Sequence, residues 1–148
     1  MTHSWKLLLD GVTTETPEQT ESYGADLACG LPPDSVLALQ GDLGSGKTTF
    51  VRGMARGLHI DHPITSPTFN IHSLYHGDRC LIHCDAYRLT EKDSFDSLHL
   101  EEFMVSPWIL AIEWPENIRS EWLAAPWTLH LSIDSKSTKH FLKLVPPG

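Results

Sequence analysis

The sequence predicts an α/β fold with a mixed, centrally parallel sheet, and three features of the chain support this prediction. Residues 36–40 and 108–112 are apolar segments of the kind found in strands that are buried on both faces of a parallel sheet. A glycine-rich segment joins the first of them to residues 49–58, where apolar side chains recur at helical spacing. Near the C-terminus, alternating apolar residues on both sides of residues 134–138 predict an antiparallel strand pair.

The size and charge of the chain limit the kinds of protein it can be. At 148 residues it is about one domain long, so a single domain over residues 1–148 is expected. A formal net charge of −8 opposes direct binding to a nucleic-acid backbone. Three cysteines without a C-x-x-C pair favour a reducing compartment. No signal sequence precedes the first elements and no apolar run approaches about 18 residues, so we expect a cytoplasmic protein without a membrane segment.

The segment at 41–48, Gly-Asp-Leu-Gly-Ser-Gly-Lys-Thr, matches the phosphate-loop pattern G-x-x-x-x-G-K-[ST] at every fixed position. The alternative is an ordinary glycine-rich turn, but the predicted strand before the loop and helix behind it favour a nucleoside triphosphate site. Glycines allow the backbone to bring successive N–H groups toward phosphate oxygens. Lys47 is expected to reach the β- and γ-phosphates and the Thr48 hydroxyl to bind Mg²⁺. The other residues expected to contact the nucleotide here are Gly41, Gly44, Ser45, Gly46 and Thr49.

Further elements follow from local signals along the chain. Residues 5–9 are predicted to form a first strand, followed by a polar stretch. Thr16 is the predicted N-cap of a helix with Pro17 at its first position and Gln19 completing a capping box, and this helix should end near Gly30. The turn at 76–78 predicts a hairpin between residues 69–74 and 80–84. Residues 93–104 look helical, and a short helix is predicted from 115 to about 123.

Two carboxylates stand at the ends of predicted strands, where ligands bind in open α/β sheets. Glu113 follows the strand at 108–112 and Asp85 follows the strand at 80–84, so both could face the γ-phosphate. The alternative for each is a surface carboxylate or a helix cap. Trp114 is either a packing residue or, through its position after Glu113, a neighbour of the nucleotide.

The hydroxyl-rich segment around Pro67 allows two interpretations. The side chains of Thr65, Ser66 and Thr68 could cap or turn the chain. They could instead sense the γ-phosphate through a hydroxyl or amide group.

Two other kinds of site are disfavoured by the sequence. His83 and Cys84 are neighbours on a predicted strand and point to opposite faces, so they cannot both bind one zinc ion. No D-x-x-G or N-K-x-D segment occurs, which removes the elements expected of a small GTPase and favours adenine over guanine.

Four blocks of sequence together resemble the bacterial TsaE (YjeE) family. They are the phosphate loop with Thr49, Ser-Pro-Thr-Phe at 66–69, His-Cys-Asp-Ala-Tyr-Arg-Leu at 83–89, and Ile-Glu-Trp-Pro at 112–115. The resemblance covers roughly residues 13–133 and is specific, because the phosphate loop occurs in many enzymes but this combination does not. The chain departs from the family pattern at residues 104–108, where a glycine-containing turn is more usual, and at Lys139 and His140, where an arginine is often found.

The resemblance implies a compact α/β fold with a mixed sheet of the phosphate-loop NTPase type. It implies ATP in the loop and Mg²⁺ held by Thr48 and Glu113, with Asp85 and Thr68 important for turnover and Thr16 beside the adenine. It also implies slow ATP hydrolysis in an accessory role in forming threonylcarbamoyladenosine beside the tRNA anticodon. The implied partners are TsaD and TsaB of the transferase complex, which the family resets between turnovers, while contact with tRNA is indirect.

Two functions of other classes compete with this one. A small-molecule kinase would need an acceptor pocket and an arginine-bearing lid, whereas the arginines here are scattered, at positions 52, 56, 79, 88 and 119. A nucleotide-dependent interaction module with negligible catalysis is the other alternative.

Overall fold

In the described part of the chain, a mixed β-sheet with three helices on one face forms the frame of the protein. The computed structural model describes residues 3–65, 72–87, 100–117 and 125–148. Two short 3₁₀ helices occur at Leu100–Phe103 and Pro115–Asn117. The other elements, in chain order, are α1 (His3–Asp10), β1 (Val12–Thr14), α2 (Pro17–Gly30), β2 (Ser35–Gln40), α3 (Lys47–Gly57), β3 (His72–His76), β4 (Cys80–Asp85), β5 (Trp108–Glu113), β6 (Trp127–Ile133) and β7 (His140–Val145).

The described strands form one sheet in the order β1-β7-β6-β2-β5-β4-β3. The four inner strands β6, β2, β5 and β4 are mutually parallel. Antiparallel pairs close both edges, with β7 between β6 and β1 on one side and β3 beside β4 on the other. The predicted mixed, centrally parallel sheet is therefore confirmed, and so is the antiparallel pair at the C-terminal end.

The sheet has a hydrophobic core on each face because its inner strands are apolar at successive positions. On the helical face, Leu37 and Leu39 of β2 pack with Phe50 and Met54 of α3 in the larger core. The other face has a smaller core, formed mainly by Ile82, Cys84, Leu100, Leu110 and Ile112. All six residues of β5 are buried, as the uninterrupted apolar pattern predicts.

Helix α2 begins as predicted from its first turn. Thr16 has extended backbone angles and its hydroxyl accepts a hydrogen bond from the N–H of Gln19 at 3.2 Å. The Gln19 side chain accepts in return from the N–H of Glu15 at 2.6 Å, one residue before the cap. Pro17 occupies the first turn and the helix ends at Gly30.

The prediction of a strand at residues 5–9 is wrong, because these residues lie in α1. Trp5 and Leu8 are the buried residues of this helix, and their three-residue spacing is helical rather than alternating. The Trp5 indole donates to the Asp26 carbonyl at 3.2 Å and packs edge-on against Trp127 with ring centres 5.5 Å apart. The local sequence pattern of residues 5–9 is compatible with a strand or a helix. The contacts with Asp26 and Trp127, which are distant in the sequence, stabilise the helix. The first strand follows at Val12–Thr14, within the stretch predicted to be polar and irregular.

Helices α2 and α3 pack closely because glycines lie at their contact. A Cβ atom on Gly53 would lie 2.0 Å from the Glu21 carbonyl oxygen, and one on Gly24 would lie 2.3 Å from that of Phe50. The two backbones therefore touch directly, and α2 supports the helix that follows the phosphate loop.

The predicted hairpin is confirmed for its described part, in which β3 and β4 pair antiparallel around residues 77–79. Residues 69–71, the helix predicted from 93 to 99 and the continuation of the helix from 118 to 123 lie outside the described residues. The segment expected to end the first of these helices forms the 3₁₀ turn Leu100–Phe103. None of the described helices is both long enough and apolar enough to cross a membrane.

Candidate nucleotide-binding site

The candidate site lies where the inner parallel strands end. The glycine-rich loop leaves β2 after Gln40 and enters α3 at Lys47. Glu113 is the last residue of β5 and stands beside Asp85, the last residue of β4, in the register of the two strands. The sheet therefore brings together the loop and both predicted carboxylates, which are separated widely in the sequence.

The loop takes a conformation that requires its glycines. Gly44 and Gly46 have φ angles of 79° and 103°, in the left-handed region that side chains disfavour. Gly41 approaches β6 so closely that a Cβ atom there would lie 2.4 Å from the Leu131 carbonyl oxygen. This backbone can turn around a phosphate group, and the start of α3 adds further N–H donors.

Lys47 folds back over the loop. Its ammonium group donates to the carbonyl oxygens of Gly41 and Asp42 and lies 4.0 Å from the centre of the Trp114 ring. Burial lowers the pKa of Lys47 from its ordinary value, and the charges of Glu113 and Asp85 oppose that shift. The loop thus holds a cation in place that can exchange its carbonyl contacts for phosphate oxygens.

Trp114 closes one side of the loop at the cost of a strained backbone. Its φ angle is 59°, in the left-handed region that bulky residues rarely occupy. Its ring lies against Tyr87 with centres 5.0 Å apart, in addition to the contact with Lys47. The structure therefore places Trp114 beside the phosphate loop, and the surrounding contacts stabilise the strained turn.

Thr48 and Glu113 face each other at the base of the site. The Thr48 hydroxyl oxygen lies 3.4 and 3.5 Å from the two carboxylate oxygens of Glu113. Neighbouring oxygens around Mg²⁺ lie about 3 Å apart, since each Mg–O distance is about 2.1 Å and the geometry is octahedral. The hydroxyl and carboxylate therefore suit a shared Mg²⁺ ion in chemistry, and a small approach of the two side chains would bring them to the ligand spacing.

A buried histidine contacts the same carboxylate. The His83 ring is fully buried, and its Nε2–H donates to Glu113 Oε2 at 2.5 Å. Its neighbour Cys84 points into the core on the other face of the sheet, where burial, with the charges of Asp85 and Glu113, raises its thiol pKa to about 12. His83 and Cys84 thus have separate environments, as their alternation along the strand predicts.

Asp85 borders the cavity with a partly desolvated carboxylate. It accepts the N–H of Tyr87 at 3.0 Å. Burial raises the pKa of Asp85 from its ordinary value and the nearby Glu113 charge adds to this, while the Tyr87 hydrogen bond acts in the opposite direction. An acidic group tuned toward neutral pH is suited to accepting a proton.

The cavity above the loop has a volume of about 380 Å³. Of the predicted loop residues, Gly41 does not line this cavity. Four residues of its walls were not assigned to the site by sequence reasoning: Leu43, Arg52, Tyr87 and His140. The signal for Arg52 was its position one turn after Thr48 in the predicted helix, which places both on one side. The signal for Tyr87 was its position two residues after Asp85.

His140 comes from the far end of the chain. Its Nδ1–H donates to the Ser45 carbonyl at 2.8 Å, across a separation of 95 residues. No local pattern shows this contact, since it depends on the pairing of β7 with β6.

Other predicted site residues lie away from the cavity or outside the described residues. Thr16 does not line the cavity, and its hydroxyl caps α2. Ser66 and Thr68 are outside the described residues. Among the loop residues, Ser45 is buried, and its hydroxyl has no hydrogen-bond partner within the described part of the chain.

Comparisons with known proteins agree on one family. A family model described as "Threonylcarbamoyl adenosine biosynthesis protein TsaE" matches residues 14–141. The chain is similar to the tRNA threonylcarbamoyladenosine biosynthesis protein TsaE of Treponema pallidum, at 39% identity over 73% of this chain and 80% of the relative. The protein of the same name from Aquifex aeolicus is 38% identical over 74% of this chain and 80% of its own length. The fold is similar to the crystal structure of Bacillus subtilis YdiB, with a TM-score of 0.69 and 28% identity over 93% of this chain and 85% of that chain.

Proposed function

We infer the activity from one premise, that the chain belongs to the TsaE family and so takes part in tRNA threonylcarbamoyladenosine biosynthesis. We propose that it binds ATP with Mg²⁺ and hydrolyses the ATP slowly to ADP and phosphate. In this role it resets the TsaD–TsaB transferase complex between turnovers. The observation that carries the proposal is the convergence of Lys47, Thr48 and Glu113 at one loop.

The loop supports binding of a triphosphate. Its left-handed glycines and the N-terminus of α3 offer backbone donors, and Lys47 supplies the only cation fixed by the motif. ATP is proposed because the sequence lacks the motifs that read guanine and because the family resemblance implies ATP. The same resemblance implies an adenine near Thr16, at the start of α2.

The base of the site supports binding of Mg²⁺ through Thr48 and Glu113. When bound, the ion neutralises charge on the β- and γ-phosphates and polarises them toward displacement. Thr48 and Glu113 would hold the ion, and Lys47 would contact the phosphate oxygens directly.

Asp85 is proposed to orient the attacking water. Its carboxylate would accept a hydrogen bond from the water, whose oxygen attacks the γ-phosphorus while the bond from that phosphorus to the bridging oxygen breaks. ADP and inorganic phosphate leave, and the water's proton is released with them. The raised pKa of Asp85 supports this role because it brings the group nearer to the working pH.

The partners proposed are TsaD and TsaB, with tRNA contacted only through them. A net charge of −8 supports this indirect role, since the chain as a whole repels phosphate backbones. The location proposed is the cytoplasm, where tRNA is modified.

Reconstitution of tRNA modification tests the proposal. TsaD, TsaB, tRNA and a threonylcarbamoyl donor are combined with or without this protein and ATP, and modified tRNA is counted per TsaD molecule. The proposal expects modification to stop after about one turnover without the protein and to continue with it. A non-hydrolysable ATP analogue should stop it again. Equal yields in all three reactions would refute the role.

A further inference from the structure

His83 lies directly behind the carboxylate proposed to hold Mg²⁺. It belongs to β4 and Glu113 belongs to the adjacent parallel strand β5, where Ala111 is the register partner of His83. Residues 83 and 85 share one face of β4, so His83 lies on the side of the sheet that carries the phosphate loop. The His83 ring is fully buried and Glu113 is only 3% exposed.

Within the described residues, the His83 ring forms a hydrogen bond through one of its two nitrogens. Nε2–H donates to Glu113 Oε2 at 2.5 Å, whereas Nδ1 has no hydrogen-bond partner within the described part of the chain. An ordinary core histidine is expected to satisfy both nitrogens, since burying an unpaired polar atom is unfavourable. Within the described residues, the hydrogen bond to Glu113 is therefore the polar contact that accounts for a histidine among buried apolar side chains.

The hydrogen bond fixes the direction of a side chain that is otherwise loosely constrained. The terminal torsion of a glutamate has broad, shallow preferences. With Oε2 held by His83, the carboxylate presents both oxygens to the Thr48 hydroxyl, Oε1 at 3.4 Å and Oε2 at 3.5 Å. Lys47 lines the same cavity, and its positive charge attracts the carboxylate. His83 therefore opposes a turn of Glu113 toward Lys47.

We propose that His83 is a positioning residue that holds Glu113 in the orientation in which Glu113 and Thr48 share a divalent cation. This inference rests on the proposed binding of Mg²⁺ and ATP. Outer-shell partners of metal-binding carboxylates act in this way, and their loss typically lowers metal affinity about 10- to 100-fold.

Two substitutions of His83 by amide side chains distinguish a positioning role from a role in packing alone. In His83→Gln the amide nitrogen falls near the position of Nε2, so donation to Glu113 is kept. In His83→Asn the amide nitrogen falls near the position of Nδ1, and the donor to Glu113 is lost. Both variants place an uncharged amide in the same buried site, so each controls for the polarity of the other.

Calorimetry with a non-hydrolysable ATP analogue, in Mg²⁺ and in EDTA, measures the gain in affinity that the metal provides. We expect His83→Gln to keep the wild-type gain. We expect His83→Asn to lose about 10- to 100-fold of it while its affinity in EDTA is unchanged. An unchanged gain in His83→Asn would overturn the proposal, and so would an equal loss in both variants.

If a variant fails to fold, a measurement on the wild-type protein tests the positioning role of His83. Nitrogen NMR of ¹⁵N-histidine-labelled protein follows the Nε2 signal of His83 when Mg²⁺ is added to the analogue-bound protein. We expect that signal to shift while the signal of exposed His130 stays in place. A static His83 signal would contradict the proposal. If Mg²⁺ does not increase the affinity of the wild-type protein for the ATP analogue, the proposed Mg²⁺ site itself is refuted.

Discussion

The Lys47 ammonium group donates hydrogen bonds to two carbonyl oxygens of the phosphate loop, close to where a phosphate group is expected to bind. Replacing it with alanine removes a charge-assisted hydrogen bond worth about 1.5–3 kcal/mol, so we expect ATP affinity to fall about 10- to 150-fold. Isothermal titration calorimetry measures the change, with Lys136→Ala, an exposed lysine of the β6–β7 turn, as the matched control. Wild-type affinity in Lys47→Ala would contradict the assignment.

The two carboxylates at the strand ends should have different roles. Glu113 faces Thr48, so Glu113→Ala should lower the Mg²⁺-dependent part of ATP affinity at least about tenfold through loss of a charged contact. Asp85→Asn keeps the shape and should leave binding nearly intact. We expect it to lower hydrolysis about 10²- to 10⁴-fold, the usual contribution of a general base.

A Mg²⁺ titration of ATP binding, with phosphate release in parallel, separates these roles, and each variant is the control for the other. If Asp85→Asn loses the Mg²⁺ dependence and Glu113→Ala retains it, the two assignments are reversed.

Asp85 should also lower the stability of the nucleotide-free protein. Burial raises its pKa in the folded state, so between the unfolded and folded pKa values the folded protein binds more protons and loses stability as pH rises. At neutral pH this cost is fully present, and Asp85→Asn removes it. We expect a higher melting temperature than that of the wild type at pH 7.5, and a smaller gain as pH falls toward about 4.

Asp134 is a control for Asp85 because its pKa is shifted in the opposite direction. The N–H of Lys136 and the hydroxyl of Ser137 lower the pKa of Asp134, so its stabilising effect is present at neutral pH and is lost on acidification. Asp134→Asn should therefore lower the melting temperature at pH 7.5. Thermal melts in which both variants shift in the same direction would contradict this account.

At the scale of elements, the contact between α2 and α3 depends on glycine. An alanine at position 53 would gain about 1 kcal/mol of helix propensity. Its Cβ would also lie 2.0 Å from a backbone oxygen of α2, which cannot move aside as a side-chain tip could. We expect Gly53→Ala to destabilise the fold by about 1–3 kcal/mol net, measured by urea denaturation.

The matched control for this contact is Arg56→Ala, one turn further along α3. Arg56 is exposed and its ion pair with Glu21 is 3.4 Å long, so its loss should change stability by about 0.5 kcal/mol or less. A Gly53→Ala protein as stable as the wild type would show that the helices can separate without cost.

Sequence signals predicted the elements well where the deciding interactions are local. The α2 cap, the β3–β4 hairpin and the phosphate loop each depend on residues within one turn of each other. Residues 3–10 were mispredicted because Trp5 gains its position from Asp26 and Trp127, which are far away in the sequence. His140 and the His83–Glu113 hydrogen bond were not predicted for the same reason, since both depend on strand pairing.

At the scale of the whole molecule, the site carries few groups to stabilise a developing negative charge. Among the described residues, Arg52 is the arginine that lines the cavity, and its Nε donates to the Ile64 carbonyl at 3.3 Å. We therefore expect slow hydrolysis by the protein alone and faster hydrolysis with the transferase complex. An arginine supplied by a partner is worth about 10³- to 10⁵-fold in rate.

Phosphate release with and without purified TsaD–TsaB tests this, with Lys47→Ala as the background control. Equal rates under conditions where association is demonstrated would count against stimulation. Added tRNA alone should leave the rate unchanged, because the chain carries a net charge of −8.

The hydrogen bond from His140 to the Ser45 carbonyl has a consequence for the order in which the protein matures. The ribosome makes the phosphate loop early, but the residue that supports it follows 95 positions later. The parallel partners of β2 are likewise β5 and β6, which are synthesised after it. A nascent chain that displays the loop but has not reached β7 thus lacks part of the nucleotide cavity. Cellular ATP would therefore stabilise the chain only after translation has passed residue 140, and would not trap shorter chains in a nucleotide-bound form.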